Sequence, residues 1–262
     1  MATLTEIVSK HFQTKPVFNR KEVAELLGNQ QKATTALSWM IKSGKLLRIN
    51  TGLYYLKRPD EWYNDHVVVN PQIIAGCYHL QGVLGYHSAL KCYGVANSVT
   101  YMEQIAVNKN ISTRFKSFSF QDIKYEFYKS DLSFGIDSSV VADVRIRHFS
   151  RERIILEGLM YPDRFLGMSE FLQSVEGFSW INIENLMGMI EKYPKKTVSM
   201  RLGWLLEKYR EKWHIEGSIL NKLEKNRPSS VLLLLKSNTK KNAWHSRWNL
   251  LVPKTIDGIG EF

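Results

Sequence analysis

Asn19-Arg20-Lys21-Glu22-Val23-Ala24-Glu25-Leu26-Leu27-Gly28-Asn29 opens a stretch, running on to Lys57, whose reading decides the fold. Asn19 and Glu22 have capping-box spacing: Asn19 accepts from a first-turn amide and Glu22 reaches back. Val23, Leu26 and Leu27 share one face of the helix so started, and Gly28 ends it with a residue that tolerates positive φ. Asn29 then caps a second helix, in which Ala33, Ala36, Leu37, Met40 and Ile41 recur at helical spacing. Gln31, Thr35, Ser38 and Lys42 fall on the opposite face, and Gly44 closes the helix. Leu46-Leu47-Arg48-Ile49, the polar turn Asn50-Thr51-Gly52 and Leu53-Tyr54-Tyr55-Leu56 follow with the pattern of a β-hairpin.

Upstream, Thr3-Leu4-Thr5-Glu6 repeats the capping-box spacing and predicts a helix whose inner face is Leu4, Ile7, Val8 and Phe12. Pro16 makes Lys15–Phe18 an extended connector. Three helices and a hairpin in this order predict a winged helix-turn-helix over residues 1–58, with its second helix-turn-helix element in a major groove. The bland alternative is an αα-hairpin with no ligand. Charge separates the two. The chain carries net +11, and residues 1–58 hold 10 Lys and Arg against 3 Asp and Glu, net +7; the other 204 residues hold 26 against 22. An excess concentrated on the groove reader favours nucleic acid over a membrane surface.

The expected contacts to double-stranded DNA are Gln31, Lys32, Thr34, Thr35, Ser38 and Lys42 on the helix, with Arg48, Asn50 and Thr51 on the hairpin. Gln pairs with adenine, Thr and Ser reach base edges or phosphates, and Lys neutralises backbone charge. The stretch from Asn29 to Arg48 contains no acidic residue, which argues against an ordinary solvated face. Lys45, Lys57 and Arg58 are assigned to the long-range field, and Trp39 to packing against the hairpin.

Arg58-Pro59-Asp60 is the expected boundary, so that residues 59–262 form a larger mixed domain and the chain as a whole is α+β. Helices are expected from Pro71 to Leu80, from His87 to Tyr93 and from Ser150 towards Pro162. Four more are expected at Ser169–Val175, Ile183–Lys192, Val198–Tyr209 and Ser218–Leu223. Strands are expected at Gln104–Val107, Ser117–Phe120, Lys124–Tyr128, Val140–Ile146, Val231–Leu235 and Arg247–Leu251. Two cysteines fit a reducing, cytoplasmic setting, and there is no signal-peptide run or membrane-length apolar stretch.

Chemistry beyond binding is sparse. Cys77, His79, His87 and Cys92 resemble zinc ligands, but Cys77 and His79 point to different sides of a helix, so no metal or other cofactor is expected. Glu126, Lys129 and Asp143 resemble a metal nuclease only faintly, because residues three apart on a strand lie on opposite faces. Arg151, Glu152, Arg153 and Glu157 read as surface i,i+4 pairs, as do Glu207 to Lys212. No phosphate-loop, dinucleotide or HExxH motif is present, and no enzymatic activity is expected.

Several positions in order resemble the AbiEi antitoxins of bacterial type IV toxin–antitoxin, or abortive-infection, systems. Arg48 with Gly52-Leu53-Tyr54-Tyr55 is similar to that family's Arg-x-Gly-x-Tyr wing, with Asn50-Thr51 where a basic residue is usual. Ser88-Ala89-Leu90, with Tyr93-Gly94-Val95 for the family's His-Gly-Leu, resembles its next helix. The run from Ser150 to Asp163, the Arg201 to Glu207 segment and the terminal Trp248 to Pro253 match in kind and order. The resemblance implies an autorepressor that binds inverted repeats in its promoter, as a weak or DNA-induced homodimer. It implies an antitoxin countering a nucleotidyltransferase toxin without a stable complex, in which Arg151, Arg153 and Arg201 are the candidates in the second domain. The rival expectations are a larger domain that modifies nucleic acid or toxin, and a ligand-responsive transcription factor with a pocket in the Pro71-to-Tyr128 region.

Overall fold

A computed structural model of the chain describes residues 2–78, 82–112, 115–193, 195–235 and 241–258. The chain is mixed α+β, with three sheets among the described residues. It divides into two compact units: Met1–Ser88 with Thr100–His148, and Ala89–Val99 with Phe149–Phe262. The division therefore does not fall at residue 58; the expected amino-terminal module is embedded in the first unit.

That module begins with α1 (Leu4–His11), β1 (Val17–Asn19), α2 (Arg20–Leu27) and α3 (Gln30–Lys42), then β2 (Leu46–Asn50) and β3 (Leu53–Leu56). Its local signals act as the residue types dictate. Asn19 Oδ1 accepts from the Glu22 amide at 3.0 Å while Glu22 Oε2 accepts from the Asn19 amide at 2.8 Å, and Gly28 caps α2 at φ +63°. Asn29 Oδ1 takes the amides of Gln31 and Lys32 at 2.8 and 3.0 Å, satisfying two of the orphan donors of α3. The extended connector contains a short strand, and the sheet runs β1-β3-β2, antiparallel throughout, with Val17 opposite Tyr55 and Leu46 opposite Leu56. Val8, Phe12, Phe18, Val23, Ala33, Leu37, Met40 and Tyr54 close one core. Ile7 and Ile41, both expected inside, are exposed at the edge of that core.

A 3₁₀ turn (Pro59–Glu61) leads to α4 (Pro71–Cys77), β4 (Val83–Leu84), α5 (Tyr86–Cys92) and β5 (Met102–Asn108). Four strands complete the sheet: β6 (Phe118–Phe120), β7 (Ile123–Ser130), β8 (Ile136–Val141) and β9 (Val144–Phe149). The order is β6-β7-β5-β4-β9-β8, with β5–β7 and β4–β9 parallel and β4–β5 and β6–β7 antiparallel. Within β6–β7, Phe118 lies opposite Tyr125 with the rings stacked at 4.6 Å. The single expected strand Val140–Ile146 is instead the corner between β8 and β9. Ala142 and Asp143 turn it at φ +44° and +65°, as Gln121 and Asp122 turn β6 into β7 at +48° and +61°. Both are two-residue hairpin turns of the kind that usually carries Asn-Gly. Leu80, expected to end the α4 helix, lies outside the described residues.

The second unit is built on α6 (Arg151–Met160), capped by Ser150 and buried continuously from Glu152 to Leu159. Around it come α7 (Met168–Glu176), α8 (Ile183–Met189), α9 (Lys196–Lys208) and α10 (Gly217–Glu224). The strands β10 (Leu232–Leu233), β11 (Asn242–His245) and β12 (Leu250–Pro253) follow, and α11 (Lys254–Asp257) ends the described chain. Trp248 is fully buried against α9, where a Cβ on Gly203 would meet its ring at 2.2 Å. The expected strand Arg247–Leu251 is a 3₁₀ turn over Ser246–Trp248, a left-handed Asn249 at φ +46°, and only then a strand. Asn249 is held there because its amide donates to the carbonyls of Pro228 and Ser229, each at 3.2 Å.

Candidate nucleic-acid interface

The 13 residues of α3 bury Ala33, Ala36, Leu37 and Met40 and present everything else outward. Gln31, Lys32, Thr35, Ser38 and Lys42 are exposed, and Thr34 is half-buried. The six helix residues expected to contact DNA thus share one continuous face. Two hydroxyls on it are already committed as donors: Thr34 Oγ1 to the Gln30 carbonyl at 2.9 Å and Thr35 Oγ1 to the Gln31 carbonyl at 3.0 Å.

A cation missed by the sequence analysis joins this face. Arg20, the first residue of α2, donates from Nη2 to Thr34 Oγ1 at 2.8 Å, and its amide donates to the Gly52 carbonyl at 2.9 Å. One residue therefore ties the start of α2 to α3 and to the hairpin tip. Its signal was position: the amino-terminus of the first helix of such a pair is where a phosphate would lie.

On the hairpin, Arg48 and Thr51 are exposed. Asn50 is half-buried and spends Oδ1 on the Thr51 amide at 2.7 Å, so it shapes the turn. The pairing slips between Arg48–Tyr54 and Asn50–Leu53, leaving a bulge at Ile49 that buries Ile49 and turns Arg48 outward.

Three assignments change. Trp39 does not pack on the hairpin; it is 65% exposed and lines the outer face of α3. Lys57 is 8% exposed and donates to the Asn64 carbonyl at 2.9 Å, so it braces the chain after β3 instead of supplying field. Lys45 stacks over Trp62 at 4.7 Å, while Arg58 stays exposed and pairs with Glu61 at 3.0 Å. Tyr55 donates its hydroxyl to Glu61 at 3.0 Å; burial, helped by that carboxylate, pushes the phenol up to about 12.

Of the candidates in the second unit, Arg153 is buried and Arg151 and Arg201 are half-buried. Arg151 is sandwiched between Tyr93 at 4.7 Å and Trp180 at 4.4 Å. Arg153 is fully buried, 3.4 Å from Glu157 and 3.9 Å over the Phe149 ring. Glu157 also accepts from the Tyr193 hydroxyl at 3.0 Å, and Glu152 accepts from the Asn182 amide at 2.8 Å. The surface-pair expectation for this helix is therefore corrected in its exposure: the i,i+4 pair of Arg153 and Glu157 is buried, as is Glu152, and the two carboxylates also take partners from other elements. Arg201 donates to the carbonyls of Leu159 at 2.6 Å and Leu233 at 2.9 Å, and burial pulls its pKa below the usual arginine value. Glu207 likewise is no surface pair, since it accepts from Arg247 at 3.0 Å and from the Trp248 indole at 2.6 Å.

Of the zinc-like cluster, Cys77 is buried, which pushes its thiol up to about 11, and the His87 amide donates to Gln104 at 2.9 Å. His79 lies outside the described residues. Among the described residues no group of three His, Cys, Asp or Glu side chains is placed to hold a metal ion. Glu126 is held below the usual carboxylate range by hydrogen bonds from Lys124 and from Tyr128, the latter at 2.7 Å. No described helix is long and apolar enough to cross a membrane. A cleft of about 960 Å³ lies within the first unit, between the outer face of α1, the segment from Leu56 to Trp62 and the β8–β9 corner. Of the Pro71-to-Tyr128 region, where a pocket was expected, only Ile73 lines it.

No protein-family model and no curated protein matches the chain. A solved structure is similar: the crystal structure of the RV2827C protein from Mycobacterium tuberculosis. The likeness has a TM-score of 0.59 and 12% sequence identity, and covers 96% of this chain and 92% of that one. At that identity the similarity is one of fold.

Proposed function

We propose that residues 1–58 act as a winged helix-turn-helix that binds double-stranded DNA, with α3 in the major groove and the β2–β3 hairpin as the wing. The observation that carries this is the face of α3: Gln31, Lys32, Thr34, Thr35, Ser38 and Lys42 lie together, free of acidic residues, on a helix whose other side is anchored in a closed core. Arg20 and Arg48 extend the positive charge to both sides of the helix, where phosphates flank a groove.

In this proposal the chain is a cytoplasmic, non-enzymatic autorepressor, bound at inverted repeats as a DNA-induced dimer. The resemblance to the AbiEi antitoxins supports the second half of the proposal. Residues 59–262 counter a nucleotidyltransferase toxin without a stable complex, and Arg151, Arg153 and Arg201 serve that task by holding the domain together. The test is the adjacent reading frame. It is expected to encode a nucleotidyltransferase whose toxicity on expression is relieved by this chain. Unrelieved toxicity, or a neighbour of another type, would remove the antitoxin half and leave DNA binding standing.

The cleft favours one second reading, a ligand-responsive regulator, because its volume and its walls of Tyr55, Trp62, Val68 and Ile73 suit a small organic molecule. A metabolite screen by thermal shift, followed by DNA titration with any binder, separates the two. A binder that leaves DNA affinity unchanged excludes a regulatory role for the cleft.

A further inference from the structure

Trp39 is the feature of α3 that neither packing nor charge accounts for. Its indole is 65% exposed at the α1 side of a polar, acid-free face. It separates two surface hollows: one of about 420 Å³ towards α1, lined with Leu4, Ser43 and Lys45, and one of about 210 Å³ lined by Thr34, Thr35, Ser38 and Lys42. Thr35 stands four residues before it, one helical turn away on the same side, so the two side chains are neighbours.

The threonine hydroxyls decide what this patch offers a ligand. Thr34 and Thr35 both give their protons to carbonyls of the preceding turn. What Thr35 leaves outward is its γ-methyl and oxygen lone pairs; the Thr34 oxygen accepts from Arg20, and the Ser38 hydroxyl lines the same hollow. Beside them sits an indole ring. Thr35 and Trp39 therefore present a methyl and a ring face, while Gln31, Ser38 and Lys42 beside them supply donors. In the major groove the exposed apolar group of a standard base is the 5-methyl of thymine. Lys32, Lys42 and Lys45 around the patch favour a polyanion over an apolar protein partner.

We propose that Thr35 and Trp39 together form a methyl reader on α3, which selects a thymine in the DNA site through its 5-methyl group. The proposal rests on DNA binding by α3 and adds the identity of a base to it. Thr35 contributes its γ-methyl, Trp39 contributes the ring face, and the hollow of about 210 Å³ receives the thymine methyl.

The test uses the full chain and a duplex that it enriches from a random-sequence library. Each thymine of that duplex is replaced in turn by deoxyuridine, and affinity is read by fluorescence anisotropy at fixed salt. Wild type is expected to lose about fourfold at one position per half-site, the worth of one buried carbon. Trp39→Ala and Thr35→Ser, which deletes the γ-methyl and keeps the hydroxyl, are each expected to bind more weakly and to lose the discrimination between thymine and uracil. Both sites are exposed, and unchanged circular dichroism checks that the variants fold. The proposal is overturned if no thymine methyl matters to wild type, or if the variants discriminate as wild type does. A change in self-association by sedimentation with the discrimination intact also overturns it and makes Trp39 a contact between copies. Failure to enrich any duplex overturns DNA binding itself.

Discussion

Replacing Thr35 and Lys42 together by alanine is expected to weaken binding to the duplex upstream of the chain's own gene by about 10- to 100-fold, on a methyl contact worth about fourfold plus one lost phosphate contact. Both side chains are exposed on α3 and take no part in the core, and alanine is the best helix former, so the melting temperature should not fall. Salt separates the two contributions. Loss of the Lys42 ammonium should lower the slope of log K against log salt by about 0.9 for one phosphate, whereas Thr35→Ala alone should leave the slope unchanged. Arg20→Ala should behave as Lys42→Ala does, because its guanidinium reaches the same face through Thr34. Wild-type affinity in the double variant would show that α3 is not the reading helix.

Arg153→Ala is expected to have the largest effect on stability of any single change in the second unit. Arg153 is fully buried, and its removal leaves Glu157 inside the protein without its counter-ion, facing the Tyr193 hydroxyl. Breaking a buried ion pair from one side costs about 3–5 kcal/mol, because the remaining charge keeps its desolvation penalty. The Phe149 ring beneath the guanidinium, 3.9 Å away, loses its contact as well. Arg153→Met combined with Glu157→Gln, which removes both charges and retains volume, should recover most of the loss. Chemical denaturation measures both variants. A shift below about 1 kcal/mol in Arg153→Ala, the ordinary scale of a surface substitution or less, would mean that the pair carries no structural burden.

The features legible in the sequence were those that depend on near neighbours. Asn19 with Glu22, Gly28 and Asn29 mark helix ends by hydrogen bonds closed within a few residues, and the structure places those bonds where the spacing puts them. The face of α3 was legible for the same reason, since helical periodicity sorts Ala33, Ala36, Leu37 and Met40 from Gln31, Thr35, Ser38 and Lys42, misplacing only Ile41, which is exposed. What escaped depends on partners distant in the chain or on unusual turn chemistry. The corner at Ala142-Asp143 takes positive φ at two residues without glycine or asparagine, so nothing in Val140–Ile146 announced a hairpin. The charges of α6 looked solvated because helical spacing pairs them locally. The local pair of Arg153 and Glu157 does form, but inside the protein, and the further partners of Glu152 and Glu157, Asn182 and Tyr193, are 30 and 36 residues away. Trp39, off the centre of the polar face, reads as packing against the hairpin; the core is filled without it by Phe12, Phe18 and Met40. Arg20 was passed over as the first residue of a helix, although its bond to Thr34 spans 14 residues and brings two elements to one surface.

Charge alone would attract this chain to any duplex, since it carries net +11. Recognition by α3 requires more than attraction. The most direct measurement is a titration of the full chain against the duplex upstream of its own gene and against a shuffled duplex of the same composition, at one moderate salt concentration. Specific reading by α3 predicts a preference for the native duplex of about 10³ or more. Equal affinity for the two duplexes would contradict it and leave only a basic surface.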